Sequence, residues 1–426
     1  MPRSIALTRH TRCRVCQNPL ELVLDLGELR LNGFPRPEED LDDAPRVPHQ
    51  LAVCRGCSLA QLTTTVDPDA LYRTYWYQSA INESMIRELR AVVAEALCLV
   101  EITRDDWVLD IGANDGTLLA SYEDLPVRPT RAAVDPATNL HPSLQAHCEI
   151  LIPDYFPTDH LDPRAGSFKI ITAVACAYDL EDPVGFFRKI STLLHPEGLA
   201  VVQFQDLGQQ IEAAAFDNIV PEHLEYYTLG SLMRVLERAS LQAVRCTPTP
   251  INGGSLRVLV RKTGDRYRPD QSIYRQLQVE QIQGLLPDTI RRGDLTAFSV
   301  FRRRVENATR QILATLELVR EQGMTVDLWG ASTKANVTLQ VLGLGPGEIR
   351  QALDRDPRKK GRRTITGIPI QQDTDARGDP AAVWLMGAWQ FRESALKRER
   401  WYLRQGGVML FPLPAVELIN EGRGHP

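Results

Sequence analysis

The stretch Val108-Leu-Asp-Ile-Gly-Ala-Asn-Asp-Gly-Thr117 decides how this chain is read. A short apolar run ends in a glycine turn and is followed by Leu118-Leu119, so it reads as strand, turn and helix start. Asp110, Gly112 and Gly116 stand at the spacing D-x-G-x-x-x-G. Glycine lets the backbone take positive φ and pass close to a ligand. A dinucleotide fingerprint would read G-x-G-x-x-G, and here Asn114 takes the place of its second glycine.

An acid at the strand end, facing such a loop, suits a ligand that carries positive charge. The sulfonium and amine of S-adenosylmethionine (SAM) meet that description. A nicotinamide dinucleotide site is the rival reading, and a purely structural turn is a third. About 20 residues beyond the loop, Asp135 ends another strand, placed to hydrogen-bond ribose hydroxyls. Asp154 and Tyr155, followed by Phe156, fall where an adenine-contacting acid is expected in a SAM site.

Outward from the loop, strands are expected at Trp107–Ile111, Arg131–Val134, Ile170–Val174 and Leu199–Phe204. Helices are expected at Met85–Val100, Pro183–Leu194 and Leu229–Ala239. That alternation implies an α/β fold with a mainly parallel sheet covered on both faces. A second α/β unit fills the last third. A long charged helix, Leu295–Gln322, leads into strand Thr325–Trp329, helix Ala335–Leu342, strands Gln351–Leu353 and Ala382–Met386, helix Glu393–Gln405 and strand Val408–Phe411.

The first seventy residues differ from both units. Cys13-Arg-Val-Cys16 and Cys54-Arg-Gly-Cys57 are two CxxC pairs beside strand-like runs at Glu21–Leu26 and Gln50–Val53. Four thiolates at that spacing suit tetrahedral Zn²⁺, and a full thiolate set leaves no open position for chemistry. The metal is therefore structural; the alternative is a set of buried or redox thiols. Cys98, Cys148, Cys176 and Cys246 are isolated and read as core thiols.

A chain of 426 residues is too long for one hydrophobic core. The expected division is a zinc-binding domain at 1–72, a SAM-binding domain at 73–250 and a C-terminal Rossmann-like domain at 251–426. A net charge of −5 argues against a general nucleic-acid binder, though not against a local basic pocket. No apolar run is long enough to cross a membrane, and the first residues lack the core of a signal peptide. The expectation is a cytoplasmic protein, monomeric or weakly homo-oligomeric, acting on a small molecule.

Further segments add to these. They include Tyr75-Trp-Tyr-Gln-Ser79, Glu222-His223-Leu224-x-Tyr226-Tyr227, Gly253-Gly254-Ser255-Leu-Arg257 and Trp329-Gly-Ala-Ser-Thr-Lys-Ala-Asn336. Asp354-x-x-Pro357-x-Lys359-x-Gly361, Gly367-Ile-Pro-Ile370, Trp389-x-Phe391 and Gly406-Gly407…Pro412-Leu-Pro414 follow. In that order they resemble the nucleotide-deoxysugar C-methyltransferases, which methylate C3 of a TDP-4-keto-deoxysugar. The resemblance spans nearly the whole chain. It implies a zinc domain against a central SAM domain, with a C-terminal Rossmann-like domain holding the TDP portion and the sugar in a cleft beside the SAM methyl.

A ketone at C4 acidifies the C3 proton, so a base can form an enolate that takes the methyl group. By the resemblance His223 is that base, with Glu222 orienting it. The family stretch usually reads Tyr-His-Glu-His, and this chain has Val220 and Pro221 at the first two positions. Tyr178 stands where a histidine is expected in the run Ala173-Val-Ala-Cys-Ala-Tyr-Asp179, and Asn252 where one often precedes the Gly-Gly-Ser segment. Tyr77 is the candidate tyrosine over the sugar, and Tyr178 the candidate replacement for the missing contact. At the nucleotide end, Ser332, Lys334 and Asn336 start a helix whose N–H groups meet phosphate, with Arg257 assisting. The altered proton groups leave two alternatives open: an NADPH-dependent 4-ketoreductase on the same sugar, and a binding protein that has lost its chemistry.

Overall fold

The computed structural model describes residues 5–264 and 267–421. Its central sheet has seven strands in the spatial order Leu241–Thr249, Ser255–Lys262, Leu194–Gln205, Phe168–Val174, Trp107–Ile111, Thr130–Val134 and Ile150–Ile152. Neighbours are parallel except around Ser255–Lys262, which runs antiparallel to both strands beside it. The run Val108-Leu109-x-Ile111 is buried, as a parallel strand covered on both faces requires. The chain starts at Trp107–Ile111, steps out to Ile150–Ile152, then returns to the other side at Phe168–Val174. That reversal is a switch point, and it opens a crevice at the carboxyl ends of the two middle strands.

The expected helices form at Glu83–Leu97, Pro183–Leu193 and Leu229–Arg238. The last is started by a capping box between Thr228 and Ser231. Strand Ser255–Lys262, just beyond the expected boundary at 250, is paired on both sides inside the central sheet.

The N-terminal region forms a four-stranded sheet from Leu20–Arg30, Arg46–Cys54, Ala60–Leu62 and Glu225–Tyr226. The fourth strand belongs in sequence to the central unit, and it pairs antiparallel with Ala60–Leu62. The C-terminal sheet has six strands, Ile370–Gln372, Ala352–Asp354, Val326–Trp329, Val383–Met386, Val408–Phe411 and Glu417–Ile419. Only the last is antiparallel to its neighbour.

Helix Thr296–Glu321 buries Phe298, Phe301, Val305, Ala308, Ile312, Leu316 and Val319, one stripe at helical spacing. The single helix expected at Glu393–Gln405 is two, Arg392–Arg398 and Arg400–Arg404. They break at buried Glu399, whose carboxylate accepts from Arg398 Nε and Trp401 Nε1. One apolar core joins Leu51 and Leu62, Phe216 and Tyr226, Phe298 and Phe301, and Trp329 and Met386, so it spans all three units. Among the described residues no helix is long and apolar enough to cross a membrane.

Candidate functional site

The four cysteines meet at one end of the N-terminal sheet. Cys13 Sγ lies 3.4 Å from Cys57 Sγ, Cys16 Sγ lies 3.3 Å from Cys54 Sγ, and all four sulfurs fall within 4.8 Å of one another. A tetrahedral zinc with bonds of about 2.3 Å needs sulfurs about 3.8 Å apart, so the set fits. Backbone N–H groups of Val15 and Gly56 donate to Cys13 and Cys54 sulfur, as thiolates would require. Gly56 packs closely there: a Cβ would lie 2.4 Å from Asn18 Nδ2 and 3.1 Å from Cys16 Sγ. Arg14, inside the first knuckle, is buried and donates to Gln61 Oε1, the Leu62 carbonyl and Thr65 Oγ1.

The crevice of the central sheet holds a cavity of about 320 Å³. Its floor is the quoted loop: Asp110, Gly112, Ala113 and Asn114 all line it. Gly112 has φ +67, and a Cβ there would lie 2.8 Å from Cys176 Cβ. Asn114 shares the left-handed region at φ 54 and ties down the tyrosine segment, accepting from Ser79 N–H and donating to the Tyr77 carbonyl. Gly116 does not line the cavity. It caps the following helix at φ +87, packed so that a Cβ would meet His147, which corrects its expected cofactor contact to a structural one.

Asp110 Oδ1 accepts from Thr172 Oγ1 at 2.6 Å. Burial pushes its carboxyl up to about 7, against that bond and with Asp135 adding to the rise. Asp135 accepts from Asn114 N–H at 2.7 Å and Ala137 N–H at 2.8 Å, and burial still raises its pKa. Asp154, Tyr155 and Phe156 line the same cavity, and the Tyr155 hydroxyl donates to Asp69.

The proton-handling groups share this space. His223, Tyr178 and Tyr77 all line it, and the Tyr178 and His223 rings meet edge to face with centroids 4.7 Å apart. Burial first and the Lys334 charge second lower the His223 imidazole to about 3, with the Asn218 backbone opposing them, so it is neutral at neutral pH. Glu222 does not orient it. The Glu222 carboxyl is buried off the cavity with Oε2 unpaired, while its carbonyl accepts from the Tyr72 hydroxyl at 2.6 Å. Residues 222 and 223 are neighbours that send their side chains to different places.

Lys334 and Ser332 reach the cavity from the C-terminal unit, with Thr333 between them. Ser332 Oγ caps helix Thr333–Leu342 by accepting from Ala335 N–H. Burial lowers the Lys334 ammonium to about 8, opposed by Asp217. Asp217 itself accepts from Trp389 Nε1 and Gln390 Nε2.

Two expected substrate contacts lie elsewhere. Arg257 is buried, its guanidinium taken by Glu88 and Glu95 at 2.7 Å each and by Gln203 at 2.9 Å. Asn336 is buried and donates to the Gly33 carbonyl while accepting from Ile365 N–H, joining N- and C-terminal units. Asp179, Gln205 and Gln390 line the cavity without having been singled out. Asp179 closes the run in which Tyr178 was noted, which was the one available signal.

Comparison with known proteins places three family descriptions along the chain. Residues 13–72 match a putative zinc binding domain, 81–245 a methyltransferase domain, and 250–414 a C-methyltransferase C-terminal domain. The C-methyltransferase NovU of Streptomyces niveus is 28% identical over 415 residues, covering 96% of each chain. Among solved structures, the Haloferax volcanii complex of the Trm112 methyltransferase activator with a putative methyltransferase is 13% identical at a TM-score of 0.36. It covers 45% of this chain and 96% of that one. The Burkholderia thailandensis 1,6-didemethyltoxoflavin-N1-methyltransferase is 18% identical at a TM-score of 0.33, over 43% of this chain and 80% of that one. The three domain matches in order, the relative similar over nearly the whole chain and the loop at Asp110 support SAM-dependent C-methyltransferase activity with a zinc-binding N-terminal domain.

Proposed function

We propose that the protein methylates C3 of a TDP-4-keto-deoxysugar through an enolate, as a step in making a natural-product deoxysugar. One observation carries the reading. The SAM loop, a neutral histidine and a lysine at a helix start all face a single cavity. Bound SAM supplies an activated methyl group there. The chain must then provide alignment, a base and charge stabilisation.

Asp135 and Asp154 hold the ribose and adenine end. Lys334 and the N–H groups at the start of helix Thr333–Leu342 meet the diphosphate. His223 takes the C3 proton, and Tyr77 and Tyr178 cover the sugar. The two ends are coupled electrostatically. The Lys334 charge weakens His223 as a base in the empty site, and a diphosphate set against Lys334 offsets that charge. The base therefore strengthens when the correct substrate is seated.

The test is mass spectrometry of TDP-4-keto-2,6-dideoxyhexose incubated with enzyme and either SAM or NADPH. A methyl gain with SAM supports the proposal. A gain of two hydrogens with NADPH would replace it with ketoreduction, and no change in either arm would leave only binding. His223→Gln should abolish the methyl gain while SAM binding by calorimetry survives. Loss of SAM binding would show that His223 is structural.

A further inference from the structure

The turn after strand Phe168–Val174 sets Asp179 beside Tyr178, the ring that meets His223. Asp179 N–H donates to the Cys176 carbonyl, which fixes the turn. The side chain lines the cavity, and its Oδ1 is enclosed with no hydrogen-bond partner among the described residues. A carboxyl oxygen enclosed without a donor is costly to ionise, and the half-buried side chain leaves its other oxygen for a molecule in the cavity.

The groups that face Asp179 decide its protonation. Burial raises its pKa most, and Glu225 and Glu222, which flank His223 in sequence, add to the rise. Tyr72 and Tyr75 face it from the tyrosine segment, and Tyr226 from the added strand. Tyr178 and Cys176 face it from its own turn. Of the cations nearby, Arg14 is spent on Gln61, Leu62 and Thr65, with Glu181 at 3.4 Å and Glu225 at 4.0 Å, and Lys334, on the same cavity, is set against Asp217. Acids and phenols around the half-buried carboxyl hold it toward the neutral form.

We propose that Asp179 is a catalytic residue of the methyl transfer, a neutral carboxylic acid that donates a hydrogen bond to the substrate's ketone oxygen. This rests on the ketone reading above. As His223 removes the C3 proton, the C–H electron pair becomes the C3–C4 double bond, and the carbonyl π pair moves onto oxygen. The Asp179 bond strengthens as that oxygen gains charge, and the proton stays on Asp179. When C3 takes the methyl group, the pairs return and the ketone is restored.

The test compares wild type, Asp179→Asn and Asp179→Ala. The amide keeps a donor at every pH, and alanine has none. Removing one donor to an oxyanion costs roughly 100- to 1000-fold in kcat, so that loss is expected for alanine, with SAM affinity and thermal stability held as controls. Asparagine should restore kcat to within about tenfold of wild type by the same reasoning. Wild-type kcat should fall as rising pH ionises Asp179, and the Asn variant should lack that limb. An Asn variant as inactive as Ala, or an Ala variant as active as wild type, would overturn the proposal. A second measurement needs no substrate: the infrared carbonyl stretch of a protonated carboxylic acid, present at neutral pH in wild type and missing in Asp179→Asn. Without that band the neutral acid is refuted. With the band but no turnover of the keto-sugar, the substrate reading fails instead.

Discussion

Gly112→Ala should break the SAM loop in a way that a second substitution can only partly repair. At φ +67 an alanine pays the left-handed penalty, about 1–2 kcal/mol. Its Cβ would also sit 2.8 Å from Cys176 Cβ and 3.0 Å from Cys176 Sγ. Carbon atoms prefer roughly 3.5–4.0 Å, and an overpacked contact of this kind costs about 1–3 kcal/mol. Together these give about 2–5 kcal/mol, or SAM binding weaker by roughly 30-fold to a few thousand-fold if the loop must return to this shape to bind. Calorimetric SAM affinity is the assay, run as double-mutant cycles with Cys176→Ala and Cys176→Gly. Alanine at 176 keeps the offending Cβ, so it should not rescue. Glycine removes it and should recover the contact energy, leaving only the φ penalty. Wild-type SAM affinity in Gly112→Ala, or equal rescue by both substitutions at 176, would refute the geometry.

Removing zinc with a strong chelator, or replacing Cys54 by Ser, should lower the melting temperature and release a single ion per chain, read with a colorimetric zinc indicator. An unchanged melting curve with no metal released would exclude a structural zinc. Arg257→Met leaves the partly buried Glu88 and Glu95 without their cation and should cost about 1.5–3 kcal/mol in denaturant unfolding. TDP affinity should not change, because Arg257 does not reach the cavity. Glu280 accepts from the N–H groups of Leu229 and Gly230, yet burial pushes its carboxyl up to about 7. The folded pKa lies above the unfolded value, so its contribution is fully present below about 4.3 and is lost as pH rises through about 7. Glu280→Gln should therefore flatten the fall in melting temperature between those pH values, and an unaltered slope would show that Glu280 is not the group responsible.

The parts of this molecule that sequence discloses are those whose chemistry is local. The loop at Asp110 carries its strand, turn and helix start in one short stretch, and each CxxC pair carries its own knuckle. The antiparallel hairpin Leu241–Thr249 and Ser255–Lys262 was missed for the opposite reason. Arg257 and Arg261 look like surface residues until distant partners are known, namely Glu88 and Glu95 for one and the Leu99 and Glu197 carbonyls for the other. Glu222 and His223 misled as a pair because adjacency says nothing about direction. Lys334 was visible as a charge at a helix start, but its pull on His223 depends on three units folding around one cavity.

The strand Glu225–Tyr226 ties the three matched segments together across their boundaries. It starts two residues after the histidine of the site and pairs with Ala60–Leu62, some 160 residues earlier. Removing the cysteine-bearing region would leave that strand without this neighbour and open the shared apolar core to water. A shortened chain cut at residue 72 should therefore be insoluble rather than merely slow.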